Sequence, residues 1–396
     1  MKTTKLPNIV WWQPVLTDHQ AHTIAATQIA AGVRIKAVVV DLEDPIRQSQ
    51  GWTMVNTNIF EIVQIPKSGW YKWIFGFVKD NSTSIHFFGS PFGDYKIMIG
   101  IIFAIISKIK ICLVSEPYAS VSEGYFSRVI TTADKWRRRL RPTIYKFYGA
   151  ILKNFVLGVF AISVRAVHQY RKIGFSDDQI FPFGYFVPSI HPIPATDKVN
   201  NSLPIQSNIF RVIFIGSLIP IKGIGDLIEA AMILADQNAC IQIDCYGPGD
   251  QNDYKFDDRI IHYCGVIPFG QSQLVLTDYD LLVLPSRYDG WGVVVNEALL
   301  TGIPVACSDM VGANILLTTG NCGYIFKSAD PVDLAFTLKS ISENRQECSL
   351  MRQRAGKMKT LLEPEVAGSY VNEALCFLLN NDKKPKSPWY YGPYNI

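Results

Sequence analysis

The chain has 396 residues, 48% of them hydrophobic and 18% charged, which is too long for one compact core, so two domains of about 200 residues each are expected. Its net charge of +4 is too small to suggest nucleic acid as a partner. A mean hydropathy of +0.13 points to apolar surface or membrane contact, yet the most apolar run, Ile97–Ser107, falls far short of the ~20 residues of a spanning helix and reads as a core helix.

In chain order, Met1–Pro7 is polar and lacks the pattern of a secretory leader, so a cytoplasmic protein is expected, peripheral at the inner face of a membrane. Asn8–Gln13 reads as a strand, and Thr17 is placed to cap a helix reaching about Ala31. Ile35–Asp41, Ser84–Phe88, Ile109–Ser115 and Val156–Ser163 follow as strands, with helices over Ile97–Ser107 and Ala166–Ile173. The rhythm breaks between Ser120 and Asn154, where Lys135–Lys153 interleaves basic and aromatic residues. A second alternation begins at Arg211–Gly216 and continues through Gly225–Ala235, Ile241–Tyr246, Ile260–Tyr263, Tyr279–Leu284, Gly292–Thr301 and Ile303–Ser308, before helical patterns from Asp330 to Leu379.

These rhythms predict an α/β protein of two Rossmann-like, doubly wound domains facing across a cleft. Residues 1–187 would form the first domain, 188–208 a linker and 209–364 the second. The span 365–396 supplies a last helix, able to pack back on the first domain, and an irregular tail. The eight cysteines are scattered without a C-x-x-C pair, several in apolar runs, and read as buried reduced thiols. No cluster has metal-ligand spacing, so no metal and no separate cofactor are expected.

The strongest motif runs from Pro285 to Val305. An apolar strand ends at Pro285, and a loop holding Asp289, Gly290, Trp291 and Gly292 feeds a helix. The amides of Gly292, Val293 and Val294 then lie at the positive end of that helix, a place suited to phosphate or sugar oxygens. Glu297 follows one turn after Val293 on the same face, and its carboxylate is an acceptor suited to a pair of ribose hydroxyls. The second motif, Phe214–Gly223, takes a strand through Gly216 and Ser217 to Lys222, a mobile charge suited to a diphosphate.

Over about Arg211–Phe326 these strings resemble the GT-B glycosyltransferases of family 4, retaining enzymes that use nucleotide-sugars; the N-terminal half is similar more loosely. The resemblance implies that Asp289, matching the first acid of an E-x7-E element, binds donor-sugar hydroxyls and that Glu297 binds the ribose. It likewise implies that Gly292, Val293 and Val294 bind diphosphate and sugar oxygens through their amides, and that Lys222 meets the diphosphate. Gly265, Val266 and Ile267 correspond to the loop near which the base lies.

Two departures stand out. Ser217 replaces the family's arginine, and loss of one charged hydrogen bond to phosphate costs about 1.5–3 kcal/mol unless another group, with Arg287 one candidate, supplies it. In the N-terminal half Glu116 ends a strand where the family often places a histidine. There Glu116, together with Asp18 and His19 at the first helix terminus, would hold the sugar or the acceptor. His86 ends a strand and reads as a core histidine, with a place lining that cleft the alternative.

The expected catalytic set is therefore Asp289, Lys222, His19 and Glu116. The implied partners are a nucleotide-sugar, a saccharide acceptor of the lipid-linked kind found in bacterial surface polysaccharide synthesis, and an anionic membrane reached through Lys135–Lys153. A nucleotide-sugar epimerase and a catalytically inactive nucleotide-sugar-binding scaffold are the rival readings.

Overall fold

The computed structural model describes residues 6–42, 58–89, 91, 93–118, 132–190, 209–380 and 382–389, and these form two wholly parallel sheets. The first joins β1 (Ile9–Gln13), β2 (Ile35–Val39), β3 (Glu61–Gln64), β4 (Ile85–Gly89), β5 (Ile111–Ser115), β6 (Val156–Ile162) and β7 (Ile180–Phe183) in the order β3-β2-β1-β4-β5-β6-β7. The second joins β8 (Phe210–Ile215), β9 (Ile241–Tyr246), β10 (Ile261–Tyr263), β11 (Leu281–Leu284), β12 (Val305–Ser308) and β13 (Gly323–Phe326) in the order β10-β9-β8-β11-β12-β13. Central strands β1, β4 and β5 are buried along their whole length, as parallel strands covered on both faces must be.

Each sheet reverses its strand order once, between β1 and β4 and between β8 and β11. At such a reversal the loops leaving the carboxyl ends of neighbouring strands diverge and leave a crevice. Pro14–Thr17 after β1, Gly216–Lys222 after β8 and Pro285–Gly292 after β11 all leave the carboxyl ends of strands that flank these reversals.

Helix α1 (Asp18–Ala31) starts with a capping box, Thr17 with Gln20, and stops at Gly32 in the left-handed conformation, φ 61°. It packs on one face of the first sheet with Trp11, Phe87 and Phe160. Right-handed crossovers put α2 (Trp70–Asp80), α3 (Tyr95–Ile106), α4 (Thr132–Leu152) and α5 (Val164–Lys172) on the other face. The core confirms this, since Ile74, Ile101, Leu152 and Val167 pack with Trp12, Phe88 and Leu113. Around the second sheet lie α6 (Ile224–Asp236), α7 (Ser272–Leu276), α8 (Val293–Leu300), α9 (Asn314–Gly320), α10 (Pro331–Glu343) and α11 (Arg345–Leu362).

The last helix, α12 (Pro364–Asn380), crosses back and lies on α1, with Gly368 set against the backbone of Ala26 so closely that any β-carbon would overlap it. The tail is tied down too. Lys384 Nζ donates to Ile180 O at 3.0 Å. Trp389 is buried between Phe186 of the first half and Trp291 of the second, with ring centroids 4.9 and 5.6 Å away. The irregular tail is thus a strap across both halves.

Other expectations need correcting. The break in rhythm over Ser120–Asn154 holds a 21-residue helix, α4, that continues through Pro142; residues 119–131 lie outside the described residues. Strands β3, β7 and β13, of four residues each, and helices α7 and α9, of five and seven, are too short to show a period, whereas α2, though amphipathic, is an addition to the expected elements. The linker 188–208 falls almost wholly outside the described residues. Cys112, Cys245, Cys307, Cys322 and Cys348 are buried free thiols, but Cys240 and Cys264 are exposed.

Candidate active site

The two motifs of the second sheet are pinned together by backbone. Gly223 has φ +72°, and a β-carbon there would run into the Pro285 carbonyl. Only glycine lets the 220–223 turn lie on the end of β11. The Arg287 amide donates to Ile221 O at 2.8 Å, and the Asp289 amide donates to Met310 O at 3.1 Å. Held this way, Lys222 Nζ and Asp289 Oδ2 meet at 2.6 Å, both side chains partly shielded. Two residues 67 apart in sequence form one charged pair at the β8/β11 crevice.

Gly292 opens α8 with φ +93°, and its missing side chain makes room between Leu284 and Val311. The amides of Gly292, Val293 and Val294 precede the first possible turn bond, so they present donors beside Asp289. Glu297 is half-buried on that helix with protein from both halves around it. Burial raises its carboxyl above the ordinary carboxylate range; the Ser272 hydroxyl donating to it works the other way, and the charge of Asp18 raises it further. Trp291 supplies backbone to this loop, but its ring turns inward: Nε1 donates to Asn296 Oδ1 at 2.8 Å, and Gly184 is bare where the ring packs. Gly216 receives the Tyr246 carbonyl through its amide at 2.9 Å, and Ser217 follows it, partly exposed. Gly265, φ +88°, and the exposed Val266 follow β10 at the same end of the sheet.

The first half meets this site directly. Glu116 leaves β5 and lies against Gly290, where any side chain would collide with its carboxylate. The Tyr185 hydroxyl donates to Glu116, and the Tyr185 carbonyl accepts from Asn296 Nδ2 at 2.8 Å. His19, buried at the start of α1, has its ring 4.1 Å from that of Tyr185 and Nε2 3.0 Å from the Thr17 hydroxyl. Tyr288 donates to Pro117 O at 2.5 Å. Arg165, in the first turn of α5, donates to Asp309 O at 3.1 Å and lies 5.6 Å over the Tyr288 ring, while its Nη1 is buried without an acceptor. Burial lowers its pKa, and Tyr288, Asp309 and Asp289 oppose that shift.

Lys222, Asp289, Gly290 and Glu116 are therefore linked through direct contacts, and His19 joins them through Tyr185. His86 takes its core role, and Arg287 has another partner. His86 is the second residue of β4, fully buried, accepting from Trp12 Nε1 at 3.2 Å rather than lining the cleft. Arg287 holds Asp226 with Nε and Nη2 at 2.9 and 2.7 Å, which ties the loop to α6 instead of leaving a free cation for phosphate. Tyr185, Asn296 and Arg165 escaped the sequence reading. Tyr185 and Arg165 carried one signal, a place just past a strand's carboxyl end.

Residues 209–344 match the protein family described as Glycosyl transferases group 1. Among curated relatives, a Bacillus subtilis (strain 168) glycosyltransferase named for teichuronic acid biosynthesis, TuaC, is 28% identical over 159 residues, 40% of each chain. The amylovoran biosynthesis glycosyltransferase AmsK of Erwinia amylovora is 27% identical over 150 residues, 35% of this chain and 37% of AmsK. The alignments span about two fifths of these relatives' length. Among solved structures, Anabaena Alr3699/HepE in complex with UDP and glucose superposes with a TM-score of 0.66 at 15% identity, covering 93% of this chain and 99% of that one. WaaG, a glycosyltransferase involved in lipopolysaccharide biosynthesis, superposes at 0.58 and 14% identity over 93% and 99%. The two facing parallel sheets are the GT-B fold of these structures.

Proposed function

We propose that this chain, which carries a Glycosyl transferases group 1 domain on a GT-B scaffold, transfers a sugar from a nucleotide-sugar to a saccharide acceptor with retention of anomeric configuration. The observation that carries this reading is the Lys222–Asp289 pair at 2.6 Å beside the glycine-opened start of α8. A diphosphate is attracted to the ammonium and to the helix amides; Asp289, released from Lys222, takes sugar hydroxyls. Glu297, one turn along, holds the ribose. Charge growing on the departing diphosphate is met by groups already in place, without a metal. Glu116, His19 and Tyr185 border the same space from the first half and position the acceptor. In the retaining course the acceptor hydroxyl attacks on the face that the diphosphate leaves.

The relatives' names, and the basic, partly apolar α4, support a lipid-linked acceptor in cell-surface polysaccharide synthesis, used at the inner face of a membrane. The test offers a panel of nucleoside diphosphate sugars, UDP-glucose included, with lipid-linked saccharides, and follows nucleoside diphosphate release and product stereochemistry by NMR, with and without EDTA. Release that depends on acceptor, with a retained linkage and no effect of EDTA, is expected. An epimerised donor, an inverted product, loss of activity in EDTA, or binding without turnover overturns the reading.

A further inference from the structure

We infer that the outer face of α2 and α3 is a second membrane-docking surface, one that inserts apolar side chains among anionic lipid headgroups beside α4, and that thereby deepens the membrane-facing reading of α4 given above. These two helices pack on each other over the first sheet with Ile74, Val78, Ile97 and Ile101 inward. Their outward side is nevertheless apolar. Phe75 is 48% exposed, Tyr95 59%, Ile102 44% and Ile106 67%, and Tyr71 stands beside them. The rings cohere: Trp70 lies 5.5 Å from Tyr95, and Phe75 lies 5.4 Å from Phe103. Isolated apolar residues on a surface need no explanation, but a contiguous aromatic and isoleucine face over two helices marks a binding surface.

The charges nearby select the occupant. Lys72 and Lys79 on α2, and Lys108 and Lys110 just past α3, are exposed. Asp94, at the start of α3, is engaged with the amides of Lys96 and Ile97, leaving Asp80 as the exposed acid on α2. In a two-fold pairing of this face with a second copy, the lysines of both copies would gather at one seam with Asp80 as the exposed acid of α2 to offset them, an excess of like charge that disfavours a dimer. An anionic bilayer instead satisfies the lysines at the headgroups and the tyrosines and isoleucines at the acyl boundary. The strand order places α2, α3 and α4 consecutively on one side of the sheet, and α4 too carries exposed apolar residues, Trp136, Leu140, Ile144 and Phe147. The opposite side carries α1 and α12.

The full chain is floated with phosphatidylglycerol–phosphatidylethanolamine vesicles and with phosphatidylcholine vesicles, at low and high salt. Wild type should float with the anionic vesicles and keep a salt-resistant fraction. A triple variant, Phe75→Ser, Ile102→Ser and Ile106→Ser, should lose that fraction, its partitioning falling about tenfold or more, with its unfolding temperature preserved because the positions are exposed. Lys72→Gln, Lys79→Gln, Lys108→Gln and Lys110→Gln together should weaken binding at low salt only. Glutamine at Arg137, Arg138, Arg139 and Arg141 probes α4 separately, and UDP binding to every variant monitors the nucleotide site independently. Equal flotation of the triple variant and wild type overturns the inference. So does a concentration-dependent dimer that the triple variant abolishes without any wild-type vesicle binding.

Discussion

Lys222 and Asp289 neutralise each other at 2.6 Å, so an incoming diphosphate competes with a carboxylate for the ammonium. Asp289→Asn should therefore tighten UDP binding a few-fold, since a partly shielded pair is worth about 1 kcal/mol, while turnover falls; calorimetry beside a transfer assay reads both signs. Lys222→Ala should weaken UDP binding and cut turnover roughly 10²-fold or more. Glu297 brings a pH dependence. Its carboxyl is raised by burial and by Asp18, and ribose hydroxyls bind its ionised form. UDP affinity should fall toward acid, at a higher pH than an ordinary glutamate would give, and Glu297→Gln should flatten that profile in calorimetry. His86 matters to the fold instead. Nδ1 accepts from Trp12 and Nε2 faces the Asn81 carbonyl at 3.2 Å, so the ring is neutral with its proton on Nε2. Burial lowers its pKa from 6.5 to about 4. Between those values the unfolded chain binds the extra proton, so stability is complete above pH 6.5 and declines as pH falls toward 4, by about 3 kcal/mol from this residue. Urea unfolding across that range should show the loss, and His86→Gln should lessen it.

Elements tie these residues to their places, and here the sequence was unevenly legible. Lys222 and Asp289 were readable because each ends a short string after an apolar strand, with glycine supplying the turn. Gly223 shows why the strings converge: Gly223→Ala would strain a backbone at φ +72° and strike the Pro285 carbonyl. A loss of several kcal/mol in denaturant unfolding and weakened UDP binding are expected together. Arg165–Asp309 and Tyr288–Pro117, in contrast, join positions 144 and 171 apart. They exist because two folded units dock, and no local pattern encodes docking. His86 was legible as a core residue because it lies in the apolar run Ile85–Phe88, although its register, second in β4 rather than at the end, was not. Helix α4 was less legible because a proline ordinarily ends or kinks a helix, yet α4 runs through Pro142.

At the scale of the whole molecule, the two halves are joined by contacts around the site and by the strap that ends in Trp389. Trp389→Ala should cost about 3–5 kcal/mol by removing a buried indole from between Phe186 and Trp291. Because both halves line that stack, calorimetric unfolding of the variant should broaden or split where wild type gives one transition. Helix α12 brings a different constraint, one of timing. It covers the α1 side of the first sheet, Gly368 against Ala26, yet it is made roughly 330 residues after α1, some 20–70 s later at ribosomal speeds of about 5–20 residues per second. Once β7 is made, about 180 residues before α12 begins, the nascent first domain displays Ile24, Phe160 and Phe183 without the partners that bury them. The emerging chain is therefore a client for chaperones that shield apolar surface, and a ribosome stalled before Pro364 holds a sticky half-protein rather than a finished domain.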